Sequence, residues 1–328
     1  MRIALPGLFP MKPFSISIAI GCCCIGIYLV STGLLSKRST FPHKHSCSRR
    51  PIEPLFGYPN TTDETCWLPS LNSKHVVVLI DALRHDFVDG SNSPLYFVRN
   101  LIHNNKAYYS VFLSDPPTTT SQRVVGISSG TFPTYLESFL NFKAESLRGS
   151  DSFIYQLWQR HPDKCYFYGD NTWTELYPFM TDGGRAKGYH SFNMFDLHYV
   201  DQAVYKDLSH FYNSKAKKEF SFLEIHLLGL DHAGHTFNAQ HPAITAKLAE
   251  YNQVLIELSR QADESTGFFV FGDHGMTESG DHGGESWDEI ATCLIHWSGS
   301  WSKVDLERYD RYKEFLESIE IIRRRWST

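Results

Sequence analysis

The sequence has no surplus of positive charge: 31 Lys and Arg stand against 36 Asp and Glu, for a net charge of −5 and a pI near 6.3. A chain so balanced lacks the basic reservoir that grips a nucleic-acid backbone, and a nucleic-acid partner is disfavoured. Long apolar runs are scarce. Only residues 14–35 form an uncharged stretch approaching the ~20 residues that a helix needs to cross a bilayer, and no second such run follows. Cysteine is sparse outside that stretch: Cys22, Cys23 and Cys24 lie within it, leaving Cys47, Cys66, Cys165 and Cys293. These four show no zinc-ribbon spacing and allow at most two disulfides in an oxidising compartment. Internal repeats and low-complexity tracts are absent, which excludes solenoid, collagen and coiled-coil architectures. What the chain does have is histidine, 16 in 328 residues, together with 42% hydrophobic residues, enough for one large core or two modest ones.

The apolar stretch sets the expected organisation. Residues 14–35 form a transmembrane signal anchor with residues 1–13 before it, and residues 36–73 a stalk rich in Ser, Pro and Thr, after which the folded domain starts. A cleaved signal peptide and a buried soluble helix are the competing readings of the first segment. Lys37, Arg38, Lys44, Arg49 and Arg50 follow the anchor while Arg2 and Lys12 precede it, so basic flanks favour a cytoplasmic body. The sequon Asn60-Thr61-Thr62, a glycosylation site if the body is luminal, points the other way.

Within residues 74–296, β-branched and aromatic runs at 75–80, 108–113, 166–168, 220–228 and 267–271 alternate with helical patterns at 95–104, 121–129, 152–160 and 244–262. That alternation predicts an α/β fold with a mainly parallel sheet sandwiched by helices. Ligands in open sheets of this kind gather beyond the carboxyl ends of the strands. Each run ends in a polar cluster: Asp81, then Asp115 to Thr120, Gly169 to Trp173, Gly229 to His235, and Gly272 to Gly275.

The chemistry sits in those clusters. Asp231 and His235 are four apart, hence on one face of a helical turn, as a metal pair requires. Asp273 and His274 are adjacent in a glycine-flanked turn, and His282 follows between Asp281 and Gly283. A lone Asp or His at a strand end is more often a cap than a ligand, but three such clusters shift that balance. Oxygen and nitrogen donors without thiolates suit Zn2+, or Mn2+ as a harder alternative. In the run Thr118-Thr119-Thr120, held by Pro117 at a predicted helix start, Thr118 is the candidate nucleophile, whereas Thr119 and Thr120 are taken as N-capping residues.

These residues carry a resemblance. Asp81 after its strand, the Pro-Thr turn, Asp231 to His235 and Asp273-His274-Gly275 with His282 resemble the alkaline phosphatase superfamily in its nucleotide pyrophosphatase/phosphodiesterase branch. Asp81 to Phe87, Pro116 to Thr120 with Gln122-Arg123, Gly169 to Trp173, and Gly272 to Thr277 with Gly280 to Gly284 narrow it to the ethanolamine phosphate transferases of glycosylphosphatidylinositol (GPI) anchor synthesis, third-mannose type. The resemblance implies one divalent metal held by Asp81, Thr118, Asp273 and His274, and a second held by Asp231, His235 and His282. It also implies a phospho-threonine intermediate on Thr118, phosphatidylethanolamine and a mannosylated GPI precursor as substrates, a cytosolic N-terminus over 1–13, and a luminal alkaline-phosphatase-like catalytic domain over 74–296 at the endoplasmic reticulum membrane, expected to be incomplete, with a divergent tail over 297–328. A small multi-span stabilising subunit is a further implied partner. Arg84, Asp170 and Trp173 fall in the transferase-like motifs and are the expected substrate-binding residues, with His232, His241, Asp281 and Glu285 nearby. After His296 the likeness fades, so the chain is expected to be a truncated isoform, a fragment or a mispredicted gene model. A metal-dependent phosphodiesterase or phosphatase, and an inactive truncated form, are the alternatives.

Overall fold

Val76, Val77, Val78, Leu79 and Ile80 are all buried, because the strand they form lies in the middle of a sheet covered on both faces. Val76, Val78 and Ile80 join one apolar cluster, Val77 and Leu79 the other. The computed structural model describes residues 13–34, 72–132, 151–191, 193 and 195–298. The Asn60 sequon, Cys47 and Cys66, the stalk up to residue 71 and the tail beyond residue 298 lie outside them.

Helix α1 (Pro13–Leu34) is followed by β1 (Lys74–Ile80), α2 (His85–Asp89), α3 (Tyr96–His103), β2 (Tyr108–Leu113) and α4 (Thr120–Ser129). Next come α5 (Phe153–Arg160), β3 (Cys165–Asp170), α6 (Thr172–Leu176), β4 (Ala186–Tyr189), α7 (Tyr199–Tyr212) and α8 (Ala216–Glu219). The described chain closes with β5 (Phe222–Leu227), α9 (Gly229–Thr236), α10 (Pro242–Gln261), β6 (Thr266–Phe271), α11 (Trp287–Ile290) and β7 (Ala291–Ser298). The seven strands are ordered β2-β7-β6-β1-β5-β3-β4. All neighbours pair in parallel except β7, which runs antiparallel to both β6 and β2. The expected mainly parallel α/β sheet is therefore present.

Two strands escaped the sequence pattern. β4 is Ala-Lys-Gly-Tyr, an edge strand without an apolar alternation. β7 covers the region where the likeness fades and continues through Ser298, past the domain limit expected at residue 296. It continues because Trp297 stacks on Phe268 (4.7 Å between ring centroids) and Ser298 Oγ donates to Asn72 Oδ1 (2.6 Å). Asn72 and Ser73, assigned to the stalk, already belong to the fold, Ser73 N–H donating to Ser265 O (3.1 Å). Cys165 and Cys293 are buried free thiols, and the described residues contain no disulfide.

α1 is a 22-residue helix that leaves Ile18, Ile25, Ile27, Tyr28 and Leu29 more than half exposed. Among the described residues no helix is long and apolar enough to cross a membrane; the side chains of α1 are described only over 17–32. The expected span over 14–35 is thus not shown.

Glu224 breaks the apolar pattern of β5, fully buried opposite Val77 with neither carboxyl oxygen hydrogen-bonded. Burial raises its pKa well above the ordinary 4.5, so the folded chain holds a proton there that the unfolded chain releases. With the folded value the higher one, the Glu224 contribution to stability is fully present below pH ~4.5 and falls by up to about 1.4 kcal/mol per pH unit above it, until the folded pKa is passed. Glu224→Gln removes this proton and is expected to flatten the decline; chemical denaturation at pH 5 and pH 8 measures it, and equal slopes for both proteins would refute the assignment.

Candidate metal centre

β1, β3, β5 and β6 point one way, and β2, turned by the antiparallel β7, points with them. The five polar clusters therefore meet along one sheet edge. Asp81 leaves β1 into a turn where Ala82 takes a positive φ of 58°, and the Ala82 N–H donates to Asp273 Oδ1 (3.2 Å). Asp273 leaves β6, and Ser114, at the end of β2, donates its hydroxyl to the Asp273 carbonyl.

Two donor groups result. In the first, His274 Nε2 lies 3.3 Å from both Asp81 Oδ1 and Asp273 Oδ2, and all three side chains are fully buried. In the second, Asp231 Oδ1 lies 3.4 Å from His235 Nε2 and 3.3 Å from His282 Nε2, and the two imidazole nitrogens are 2.9 Å apart. Asp231 and His235 share one face of α9, as their spacing predicts. His274 and His282 stack at 4.0 Å, which joins the two groups.

The donor sets fit divalent cations. The edge of a tetrahedron around zinc, with ligands at 2.0–2.2 Å, is about 3.3–3.6 Å long, close to most of these separations. Asp81 Oδ1, Asp231 Oδ1 and Asp273 Oδ2 are buried without a hydrogen-bond partner, a state that costs free energy unless a cation or proton satisfies it. The imidazoles are oriented as ligands are: His274 Nδ1–H donates to Gly275 O (2.8 Å) and His282 Nδ1–H to Thr118 O (2.7 Å), leaving each Nε2 lone pair to face the carboxylates.

The electrostatics describe the same crowding. Burial, then the charges of Asp273, Asp231 and Asp170, push the Asp81 carboxyl well above its usual range, and burial brings Asp273 up to about 6. Burial and the neighbouring His282 hold His274 well below the usual imidazole value. Burial also disfavours charge on Asp231 and His282, but the approach of the two groups to 3.3 Å outweighs it, bringing Asp231 down to about 2 and His282 up to about 9.

In the threonine turn the hydroxyls of Thr118 and Thr120 have different partners. Thr118 is fully buried, donates its hydroxyl to Gly284 O (2.8 Å) and accepts from Gly283 N–H (2.9 Å). Its oxygen is thus engaged in holding the loop that carries His282. The hydroxyl at the first donor group is that of Thr120, 3.4 Å from Asp81 Oδ2 and 3.3 Å from His274 Nε2, on the first residue of α4. By sequence Thr118 ranks first of the three because Pro117 precedes it, but which hydroxyl lies against the carboxylates depends on which one the chain turns inward, and spacing does not record that.

The expected substrate-binding residues Arg84, Asp170 and Trp173 each have partners within the chain. Arg84 makes a two-pronged ion pair with Asp86 (2.9 and 2.7 Å) and donates to Met276 O (3.2 Å). Asp170 accepts from the Thr172 N–H (3.2 Å) and hydroxyl (2.7 Å), starting α6. Trp173 is fully buried. Of the neighbours, His232 sets both ring nitrogens 3.0 Å from the carbonyls of Ser191 and Asp196, His241 caps α10 by accepting from Ala243 N–H (3.2 Å), and Asp281 lies 3.8 Å from His235 Nδ1. His226, which the sequence analysis passed over, sits 3.2 Å from Asp81 Oδ2. Its signal was a histidine inside a run otherwise apolar but for Glu224.

Residues 62–312 match the family described as type I phosphodiesterase / nucleotide pyrophosphatase. The chain is 31% identical over 281 residues to GPI ethanolamine phosphate transferase 3 of Schizosaccharomyces pombe, an alignment covering 83% of this chain and 30% of that one. It is 34% identical over 292 residues to the GPI ethanolamine phosphate transferase 3 catalytic subunit of Mus musculus, covering 83% of this chain and 26% of the relative. It thus spans less than a third of the length of these relatives. Among solved structures, the lipoteichoic acid synthase LtaP from Listeria monocytogenes superposes with a TM-score of 0.51 at 10% identity, covering 72% of this chain and 69% of that one, a likeness of fold.

Proposed function

This chain belongs to the type I phosphodiesterase / nucleotide pyrophosphatase family, and from that premise we propose that it carries the catalytic centre of an ethanolamine phosphate transferase acting on the third mannose of a GPI precursor. The observation that carries the reading is the Thr120 hydroxyl lying against Asp81 and His274, beside a second donor group of Asp231, His235 and His282. The names of the curated relatives supply the transferred group.

Asp81, Asp273 and His274 would hold one divalent cation and Asp231, His235 and His282 another, Zn2+ suiting the mixed oxygen and nitrogen donors and Mn2+ being the harder alternative. Bound there, such cations supply neutralisation of phosphoryl charge and a lowered hydroxyl pKa. The chain's own part begins with Thr120. Its oxygen attacks the phosphorus of phosphatidylethanolamine, an O–P bond forms, and the bond to the glycerol oxygen breaks. Diacylglycerol leaves with the proton given up by the threonine. The 6-hydroxyl of the mannose then attacks the phospho-threonine, the Thr120 O–P bond breaks, and the mannose proton restores the threonine hydroxyl. The N-terminus of α4, where Thr120 stands, favours the anionic phosphoryl group.

In this reading α1 is the signal anchor, and the domain lies in the lumen of the endoplasmic reticulum, where the Asn60 sequon can be glycosylated. The test is to incubate the purified, metal-loaded chain with phosphatidylethanolamine and locate the adduct by peptide mass spectrometry. Ethanolamine phosphate on Thr120 supports the proposal. An adduct on Thr118 moves the nucleophile, and release of free ethanolamine phosphate without any adduct favours a hydrolase.

A further inference from the structure

Asp81 is held by more than the cluster it belongs to. Trp173 Nε1–H donates to His226 Nδ1 (3.0 Å), and His226 Nε2 lies 3.2 Å from Asp81 Oδ2. All three side chains are fully buried, so no water competes for these contacts. An indole N–H can only donate, so His226 Nδ1 must offer its lone pair. A neutral imidazole then carries its proton on Nε2 and donates it to Asp81. Oδ2 is thereby occupied, together with the Thr120 hydroxyl at 3.4 Å, while Oδ1 is left without a hydrogen-bond partner and faces His274 Nε2 at 3.3 Å.

The segment carrying Trp173 is fitted to this purpose. A Cβ on Gly169 would come within 2.6 Å of His226 Cβ and 2.8 Å of the His226 backbone nitrogen, so only glycine lets β3 close on β5 there. Asp170 starts α6 by capping Thr172, and the next residue of that helix is Trp173. Gly169 and Trp173, at the two ends of the run, both meet the same imidazole.

We propose that Trp173 and His226 are positioning residues of the metal centre: the indole locks the imidazole in its Nε2–H form, and the imidazole turns Asp81 so that Oδ1 is the oxygen offered to a cation. The proposal rests on the metal reading of Asp81, Asp273 and His274, and it assigns the Gly169-Asp170-Asn171-Thr172-Trp173 motif to support of that centre rather than to substrate binding.

The experiment uses the full chain and two readouts besides activity. Long-range proton–nitrogen NMR of histidine-labelled protein, with His226 assigned by comparison with His226→Gln, should show a proton on Nε2 and none on Nδ1, with or without zinc. Zinc titration against a chromophoric chelator should show Trp173→Phe weakening one of the two sites by about 10- to 100-fold, the range found for removal of partners that orient metal ligands. The double variant Trp173→Phe/His226→Gln should bind no more weakly than His226→Gln alone, because both residues act through one contact. A proton on Nδ1, wild-type zinc affinity in folded Trp173→Phe, or additive losses would each overturn the proposal. Should Trp173→Phe unfold, a benzothienylalanine at this position keeps the ring shape without the N–H, and the same outcomes decide. A wild-type chain that binds no divalent cation would instead sink the parent metal reading, while the NMR measurement still decides the Trp173–His226 contact.

Discussion

Thr120→Ala is expected to abolish ethanolamine phosphate transfer, with a loss on the order of 10^3-fold or more, as removal of a covalent nucleophile entails. The variant should keep its metals, because the donor groups consist of carboxylates and imidazoles that the threonine touches but does not build. Thr118→Ala should behave differently. Its hydroxyl bridges Gly283 and Gly284, so its loss loosens the loop bearing His282 and should weaken the second donor group by about 10- to 100-fold, while leaving the nucleophile in place. The two variants are compared in full-length chimeras, by rescue of GPI-anchored surface proteins in transferase-deficient cells and by zinc content of the purified chain. Rescue by Thr120→Ala together with failure of Thr118→Ala would return the nucleophile to Thr118.

The second large effect is on stability. Asp201 is buried in α7, where its carboxylate accepts from Lys247 Nζ (3.0 Å), the Tyr251 hydroxyl (2.8 Å) and the backbone N–H groups of Leu228 (2.9 Å) and Gly229 (3.3 Å). The last two begin the helix that carries Asp231 and His235, so this carboxylate fixes where the second donor group starts. Asp201→Ala leaves the Lys247 ammonium, which is only 2% exposed, with Glu250 (3.1 Å) as its remaining carboxylate and strips the Leu228 and Gly229 N–H groups of their acceptor, and should cost about 3 kcal/mol. Removing both charges with Asp201→Ala/Lys247→Met should recover part of that loss, since no buried ammonium remains and the Glu250 carboxylate it leaves behind is 31% exposed. Denaturant titration of the four proteins gives the coupling, and additive effects would show that the pair does not act as a unit.

Much of the architecture could be read from periodicity. The run 75–80 is apolar at every position after His75 because β1 is buried on both faces, and the polar clusters after five runs fall on one edge because those five strands share a direction. The short edge strand β4 carries no such pattern, since half of an edge strand's environment is solvent. The candidate donor residues were legible for a similar reason: Asp231 and His235 share a helix face by spacing alone, and Asp273 with His274 sits at a strand end.

By itself, then, the sequence determined the α/β class, the edge of the sheet where the chemistry lies, and the residue types able to hold divalent cations. Only the tertiary structure decided which hydroxyl of three lies against Asp81 and His274, which partners Arg84, Asp170 and Trp173 take within the chain, and that His226 stands behind Asp81. The division follows from distance along the chain. Spacing and burial pattern are local and leave a periodic trace, whereas the partner of a side chain 50 or more residues away, as Trp173 is from His226 at a separation of 53, leaves none.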